Sequence, residues 1–554
     1  MFSQILAPVA DSLAFSALVA AIPLLALFIM LGIFKVPAWI AALGTIVLTI
    51  VVAVFGWHLP AEPAFAATCE GLFFGVCQIM WILIPAVWLY NLTVKCGWDK
   101  VLRDLLREIS DDLRILAILI AFCFGALLEA LAGFGTPVAI TAAMMVAAGM
   151  KPLKAAMVCM VANTAPVAFG AMGAPITTLG NSASAGFGGA DPSQLAEVFG
   201  AMAGRQSPFM AMMVPLFLVF LVDGVRGLKD TWHIALSGGV VFAAFQFVTS
   251  NFVNYQITDV VASIACIIAI LLLLKVAKPA HPVKAEMAVD SDAPTPAQQT
   301  KGARRVVGAI IPYVIVVAIF AVSQIPAAKS WLASTFTVKF TWPGLESCFK
   351  ADGATACVTN NIDLYSVVST GTYLFIGGVI TMLVYRMSVS VAAKEFGKTI
   401  YNLRYTIITI ASVLALAYIM NASGMTSTLG AGLAASGAAF AFLSPVLGWL
   451  GVAITGSDVS SNALFGGMQV ETAATVWGDV QHQVLMATSN STGGCMGKMI
   501  SPQSLSVAAA ATGMMNKEGV IFRQVVGWSL VLLVIFALLV TLQATVLSFM
   551  IPVP

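Results

Sequence analysis

Two acidic residues lie in stretches of sequence that are otherwise almost free of charge. Glu129 is the only charged residue in the run 122–137, and Asp458 follows the apolar run 440–455. A carboxyl group in an apolar membrane segment is energetically unfavourable, so it marks a functional site by default. Both acids are therefore candidate proton carriers.

Each acid stands beside an interruption of the helical pattern. Gly133, Gly135 and Pro137 follow Glu129, and Gly456 precedes Asp458. Such interruptions free backbone groups that lipid cannot satisfy, so they are tolerated only where they are buried in protein or line a wet cavity. An intramembrane acid beside a broken helix indicates a transporter.

A similar series of helix breaks and polar residues recurs in the two halves of the sequence. Each half has a break, an Asn with a hydroxyl neighbour and a Met-Gly step before a proline: 133–137, 162–166 and 170–175 in the first half, and 455–458, 489–491 and 493–502 in the second. Matching interruptions of this kind point to a binding site at the membrane midplane. The alternative is that the glycines serve only close helix packing.

The composition predicts the elements that position these residues. Hydrophobic residues make up 60% and charged residues 9% of 554 positions, with a mean hydropathy of +0.97. Soluble domains carry roughly 25% charge, which excludes a soluble protein. The apolar runs are long enough for helical spans and do not alternate as barrel strands do. We predict an all-α polytopic membrane protein in two inverted-repeat halves with broken or re-entrant helices.

The predicted spans, about 12 to 14 crossings in total, follow the long apolar runs. They lie near 13–34, 36–57, 71–93, 113–132, 154–175, 208–225, 231–252, 257–275, 306–325, 366–385, 405–425, 430–455, 484–512 and 524–550. The pieces 136–150 and 458–470 look too short or too broken to cross cleanly.

Lysine and arginine concentrate at 95–114, 275–305, 386–404 and 517–523, which the positive-inside rule places in the cytoplasm. The N-terminus and the C-terminus are then predicted outside. We predict an N-terminal transmembrane half (1–275), a cytoplasmic linker (276–305) and a C-terminal half (306–554) with an outer loop at 326–365. Cys348 and Cys357 in that loop could form a disulfide or stay reduced.

Two long motifs resemble the L-lactate permease family, which includes glycolate permeases. They are GALLEALAGFGTPVA at 125–139 and NSTGGCMGKMISPQ at 490–503, and the similarity extends over nearly the whole chain. The resemblance implies proton-coupled uptake of 2-hydroxymonocarboxylates, such as lactate and glycolate, across the bacterial inner membrane. It does not assign the roles of individual residues.

A small hydroxy acid needs positive charge at its carboxylate and a polar group at its hydroxyl. Helix N-termini after the breaks offer free N–H groups and a favourable dipole. Lys498 could pair with the carboxylate or extend to a membrane interface, and each hydroxyl or amide could be a helix cap instead. The candidate substrate ligands are Gly133, Gly135, Thr136, Asn163, Thr164, Gly456, Asn490, Ser491, Thr492 and Lys498.

Proton coupling would be energetically favourable, because importing an anion alone against an inside-negative potential costs about 2.3 kcal/mol per 100 mV. Glu129 and Asp458 are the predicted coupling acids, and the predicted partners are the substrate anion, protons and lipid, without nucleic acid. We predict no cofactor, metal site or catalytic residue, and hence no enzyme. The rival hypotheses are a sodium-coupled carrier for another organic anion and a passive channel or membrane subunit.

Overall fold

The computed structural model describes residues 2–32, 34, 36–98, 100, 101, 105, 110–131, 133, 135–277, 279, 281–284, 302–323, 325, 331, 334, 335, 342–345, 348, 349, 370–514 and 517–552. Most of the predicted linker 276–305 and of the predicted outer loop 326–365 lies outside these residues. Cys357 lies outside them too, so both alternatives for Cys348, a disulfide with Cys357 or a reduced thiol, stay predictions.

The described part of the chain is almost entirely helical. The first half contains α1 (Leu13–Gly32), α2 (Ala38–Gly56), α3 (Ala61–Phe74), α4 (Trp81–Lys95), α5 (Leu113–Leu131), α6 (Thr136–Ala147), α7 (Pro152–Ala162), α8 (Gly170–Ala183), α9 (Pro192–Phe252) and α10 (Thr258–Val276). The second half contains α11 (Ala303–Ser323), α12 (Thr370–Val384), α13 (Val389–Ser423), α14 (Met425–Ala434), α15 (Phe440–Thr455), α16 (Asp458–Trp477), α17 (Val480–Lys498), α18 (Pro502–Ala511) and α19 (Glu518–Gln543). Two short strands, β1 (Phe2–Ser3) and β2 (Cys348–Phe349), pair in parallel.

The helices confirm an all-α polytopic membrane protein. Within the described ranges, seven helices are long and apolar enough to cross a membrane, and an eighth span results if the bent α7–α8 pair counts as one. That pair is bent by 65° at its break. A broken pair of this kind is what the interrupted sequence predicts.

The structure differs from the predicted spans in where the helices are continuous. The predicted spans 430–455 and 484–512 are each divided, into α14 with α15 and α17 with α18. The spans 208–225 and 231–252 form the single element α9, which is broken at Gly224 (φ 62°, ψ −149°). The piece that begins at Asp458, expected to be short, is the 20-residue helix α16. Its polar side chains lower the hydropathy, but they are buried against other helices rather than in lipid.

Glycines with positive φ end the helices beside the two acids. Gly133 and Gly135 have φ of 53° and 85° after α5, and Gly456 has φ of 75° after α15. Side chains with a Cβ rarely adopt this left-handed backbone, whereas glycine adopts it freely. These residues therefore terminate α5 and α15 at defined positions and turn the chain into α6 and α16.

The two halves exchange equivalent contacts. Helix α6 packs against α18 while α8 packs against α16, and α7 packs against α19 while α9 packs against α17. When α5–α9 are matched in order with α15–α19, the contact of α6 with α18 corresponds to the contact of α16 with α8. The contact of α7 with α19 likewise corresponds to the contact of α17 with α9. This reciprocity is what a two-fold repeat requires, and it brings the break after α5 and the break after α15 to the same region.

Several further glycines serve close helix packing, as the alternative hypothesis holds. Helices α15 and α17 meet so closely that a Cβ on Gly448 would collide with the carbonyl oxygen of Asn490. Likewise, a Cβ on Gly497 would collide with the carbonyl oxygen of Trp449. Small residues at such crossings allow two backbones to approach directly. This contact fixes the end of α17, which carries Lys498.

We expect Gly448→Ala to destabilise the protein, because the added methyl group meets a backbone oxygen that cannot rotate away. Overpacking of this kind lowers the free energy of unfolding by about 1–3 kcal/mol. The matched control is Gly527→Ala in α19, where nothing lies within 4 Å of the added Cβ. The thermal unfolding midpoint in detergent should fall for Gly448→Ala and stay level or rise for Gly527→Ala. Equal midpoints in the two variants would contradict the packing account.

Candidate functional site

A cavity lies where the two broken helices meet, and residues of both halves line it. They are Glu129, Gly133, Val167, Gly170, Ala171 and Pro175 from the first half, and Ser457, Asp458, Val459 and Lys498 from the second. The space in which the centre of a water molecule can lie is about 20 Å³. A cavity of that size holds about one water molecule, so the site is too small for a hydroxy-acid anion in this conformation.

Glu129, in the last turn of α5, is the acidic group from the first half. Its side chain is only 3% exposed, and its Oε1 atom lies where glycine makes room for it: a Cβ on Gly170 would stand 2.9 Å away. Its Oε2 atom has no hydrogen-bond partner among the described residues. The amide of Asn163, at the end of α7, lies close to this carboxyl group. Both polar side-chain atoms of Asn163 also lack partners there.

Asp458 is the acidic group from the second half, and it begins α16. Ser457 caps that helix, because its hydroxyl accepts a hydrogen bond from the backbone N–H of Ser460. The Ser491 hydroxyl on α17 donates to Asp458 Oδ2 at 2.6 Å. Gly494 leaves room for the other oxygen, since a Cβ there would stand 2.7 Å from Oδ1. Asp458 is therefore held by a hydroxyl donor and by the positive end of a long helix.

Lys498 is the last residue of α17 and is only 4% exposed. Its ammonium donates to the carbonyl oxygen of Gly456 at 2.5 Å, a group that the break after α15 leaves free. It lies within electrostatic range of both Glu129 and Asp458. Among the described residues, neither acid forms a direct ion pair with it. Lys498 thus lines the cavity between the two acids and does not extend to a membrane interface.

Three of the predicted ligands lie away from the cavity and bond within the helix bundle. The Asn490 amide donates to Asn462 Oδ1 at 2.9 Å and accepts from Gln469 at 3.2 Å. The Thr164 hydroxyl donates to the carbonyl oxygen of Val161, and the Thr492 hydroxyl donates to Gln206 Oε1 at 2.8 Å. The bonds of Asn490 and Thr492 join helices, the bond of Thr164 is local, and none of these side chains lines the cavity.

The remaining predicted ligands divide in the same way. Gly133 lines the cavity, and Gly456 contributes the carbonyl oxygen that Lys498 binds. Gly135 faces Val507 of α18 instead. The side chain of Thr136 lies outside the described part of the structure. Ser491 contacts the site indirectly, through Asp458.

Sequence reasoning missed one buried acid near this site. Asp259, in the first turn of α10, is fully buried, and its Oδ1 atom accepts a hydrogen bond from Gln246 of α9 at 2.9 Å. It lies within electrostatic range of Glu129. An acid at the start of a span reads as a solvated end residue, so its position gave no signal. The run 257–274, which contains no other charged residue, is the feature that could have revealed it.

Comparisons with known proteins place this architecture in a family. The family model for L-lactate permease matches residues 16–547. The chain is 39% identical to the glycolate permease GlcA of Escherichia coli K12 over 97% of each chain. It is 37% identical to the L-lactate permease of Bacillus subtilis 168 over 100% of each chain.

Among solved structures, MtrF of Neisseria gonorrhoeae, from a class of antimetabolite efflux pumps, overlaps with a TM-score of 0.34 at 13% identity. The overlap covers 90% of this chain and 84% of that one. The sequence relationship is far closer, and it agrees with the apolar helices and with the resemblance of the two motifs. The chain belongs to the L-lactate permease family and is a multi-pass membrane transporter rather than an enzyme.

Proposed function

We propose that this protein takes up L-lactate and related 2-hydroxymonocarboxylates, namely D-lactate and glycolate, together with protons. The proposed setting is the bacterial inner membrane, with both termini outside. The observation that carries the proposal is the small cavity between two broken helices, which is lined by two acids and one lysine. The names of the relatives, a glycolate permease and an L-lactate permease, support this substrate class.

The charges around the cavity supply a mechanism for coupling. Lys498 and the N-terminus of α16 are the positive groups, and Asp458, bonded to Ser491, is their fixed negative partner. Glu129 adds a second negative charge when it is ionised. An uncompensated charge in a water-poor cavity is strongly unfavourable. The site therefore accommodates either the Glu129 carboxylate or the carboxylate of a substrate, but not both.

Glu129 is better suited than Asp458 to bind the transported proton. Each carboxyl group has one oxygen without a partner among the described residues, Glu129 Oε2 and Asp458 Oδ1, but Asp458 also receives a hydrogen bond from Ser491 and lies at a helix N-terminus. When the substrate carboxylate pairs with Lys498, Glu129 takes up a proton and the total charge of the site stays constant. Each substrate anion then moves with one proton, which cancels the work against the membrane potential.

The unpartnered amide of Asn163 suits the hydroxyl of a 2-hydroxy acid. An amide offers both a donor and an acceptor, and a hydroxyl can use either. Asn163 stands beside Glu129, and both atoms of its amide are available. This arrangement favours a hydroxy acid over an acid that lacks the hydroxyl, because leaving buried polar groups unpaired costs binding energy.

Transport by this site requires the cavity to open, because its free space holds about one water molecule. The halves 1–275 and 306–554 are the proposed moving units, related by an inverted repeat and joined by the linker 276–305. The reciprocal packing of α6 with α18 and of α8 with α16 gives two equivalent seams. Opening one seam at a time would give alternating access.

Uptake into proteoliposomes that contain only the purified protein tests the proposed function. Labelled L-lactate, D-lactate and glycolate should accumulate when the outside is more acidic, and an imposed sodium gradient should have no effect. A requirement for sodium would support the sodium-coupled carrier instead. Equilibration without uphill accumulation would support a passive channel.

We expect Glu129→Gln to abolish proton-driven accumulation while lactate exchange is far less affected. Glutamine resembles the protonated acid, so substrate can bind but no proton is carried. The measurement compares acid-driven uptake with exchange of labelled lactate at equal pH. The isosteric control is Glu518→Gln at the start of α19, a residue that does not line the cavity. Normal accumulation by Glu129→Gln would rule Glu129 out as the coupling acid.

We expect Lys498→Met to weaken lactate binding roughly 10- to 100-fold, as loss of a charge-assisted hydrogen bond does. Lys154→Met is the matched control, because that ammonium also donates to a backbone carbonyl, of Val222 at 2.9 Å, but lies outside the cavity. Binding is measured by titration of the detergent-solubilised protein. Equal affinity for lactate in the two variants would show that Lys498 does not bind the substrate.

Asn163 and Asn490 occupy matching positions in the repeated pattern, but their substitution should have different effects. Asn163→Ala should weaken substrate binding roughly tenfold with little change in thermal stability, because its amide atoms have no hydrogen-bond partner of good geometry among the described residues. Asn490→Ala should lower the unfolding midpoint, because its bonds to Asn462 and Gln469 join α16 to α17. Binding titration and thermal unfolding of both variants separate the two roles. The reverse pattern would contradict the assignment.

A further inference from the structure

A second buried polar cluster adjoins the substrate cavity. We define the relay cluster as Asn163, Gln246 and Asp259. The Gln246 amide donates to Asp259 Oδ1 at 2.9 Å and approaches the carbonyl oxygen of Ala165 at 3.5 Å. Ala165 lies two residues beyond Asn163, whose amide stands beside Glu129. The cluster thus connects α10 to the acid of the cavity through α9 and the break after α7.

Helix geometry places Asp259 beside Glu129. The Cys123 thiol of α5 contacts the Cys266 thiol of α10 at 3.2 Å. Glu129 lies six residues beyond this contact in α5, and Asp259 lies seven residues before it in α10. At about 1.5 Å per residue, both acids are displaced from the contact by about 9–11 Å along the helix axes. The displacement is in the same direction, because the end of α5 and the start of α10 both meet the segment 170–173: a Cβ on Gly170 would stand 2.9 Å from Glu129 Oε1, and a Cβ on Gly173 would stand 2.8 Å from the Tyr255 ring.

The relay cluster contains an unusual concentration of unpartnered polar atoms. Both amide atoms of Asn163, Gln246 Oε1, Asp259 Oδ2 and the adjoining Glu129 Oε2 lack hydrogen-bond partners among the described residues. All four side chains are at most 4% exposed. Buried polar groups are nearly always satisfied by protein or by ordered water. Water bound between these side chains would satisfy them.

Neither helix capping nor metal binding accounts for the contacts of Asp259. An acid in the first turn stabilises a helix dipole, but Asp259 Oδ1 accepts its bond from a side chain on another helix. A metal site would need more ligands, and the described residues contain no group of three histidines, cysteines or acids that could hold one. The titratable groups that face this region are Glu129 and Cys123 from α5 and Cys495 from α17.

We propose that Asp259 is a second proton-carrying acid, which exchanges protons with Glu129 through water held by Asn163 and Gln246. The proton leaves the Asp259 carboxyl group for a water molecule, which in turn donates a proton to the Glu129 carboxylate. Asp259 becomes ionised and Glu129 neutral, so the total charge of the pair does not change. The inference rests on the proposed proton coupling.

This route gives protons and substrate separate paths to the cavity. Lys275 lies at the end of α10 that the loop charges predict to be cytoplasmic, and Asp259 lies at the opposite end. Protons from outside would therefore reach Asp259 before they reach Glu129. Glu129 can then be protonated while the substrate already occupies the side of the cavity near Lys498.

The test compares Asp259→Asn, Asp259→Glu and the control Asp191→Asn in proteoliposomes. Asp191 caps α9 at the surface, and asparagine caps a helix equally well. We expect Asp259→Asn to reduce acid-driven lactate uptake at least roughly tenfold more than it reduces exchange. Asp259→Glu should restore part of the driven uptake, and Asp191→Asn should behave like the original protein.

A purely structural role for Asp259 would lower both activities in parallel, without rescue by glutamate, and would overturn the proposal. Infrared difference spectra give a second readout: the original protein should show a protonated-carboxyl band that Asp259→Glu shifts and Asp259→Asn removes. An unchanged band in Asp259→Glu would overturn it as well, even if Asp259→Asn does not fold. If the original protein accumulates lactate but Asp259→Asn does so equally, only this inference fails. If the original protein shows no proton-driven accumulation, the proposed function fails with it.

Discussion

The constraint on which the proposed mechanism depends is the balance of charge in the small cavity between the two broken helices. Lys498 and the N-terminus of α16 face two acids there, and no ion pair among the described residues neutralises them directly. Because the surroundings are poor in water, adding one anion is favourable only if another negative charge is removed. Protonation of Glu129 is the simplest way to remove it. In the proposed mechanism, binding of the substrate and binding of a proton are then two parts of one equilibrium.

The cavity forms where helices are interrupted at specific glycine residues. Positive φ at Gly133 and Gly456 ends one helix in each half and frees backbone groups for polar contacts. Gly170 and Gly494 leave the space that the carboxyl groups of Glu129 and Asp458 occupy. The same scarcity of large side chains lets α15 and α17 pack tightly, so the end of α17 is rigidly placed. Close packing and the polar site are thus consequences of one glycine-rich sequence.

The sequence pointed to those residues of the candidate site that carry a charge or stand beside a break in the backbone. Glu129, Asp458 and Lys498 are charges in stretches that are otherwise almost free of charge, and the structure brings all three to one cavity. Asn490 has the same pattern as Asn163, yet its bonds are internal, because partners such as Asn462 are supplied by tertiary packing that no local pattern reveals. Asp259 was not predicted, because its helix begins inside the protein rather than at a solvated surface. Continuity of the spans was equally hard to predict, since polar residues in α16 are buried against protein rather than lipid.

Proton uptake on substrate binding tests the central claim most directly. Lactate is added to the purified protein in weakly buffered detergent solution, and a pH indicator reports protons taken from the medium. We expect uptake of about one proton per bound lactate near neutral pH, and none for Glu129→Gln. Saturable binding of lactate to the original protein without any change in solution pH would contradict the charge-balance mechanism.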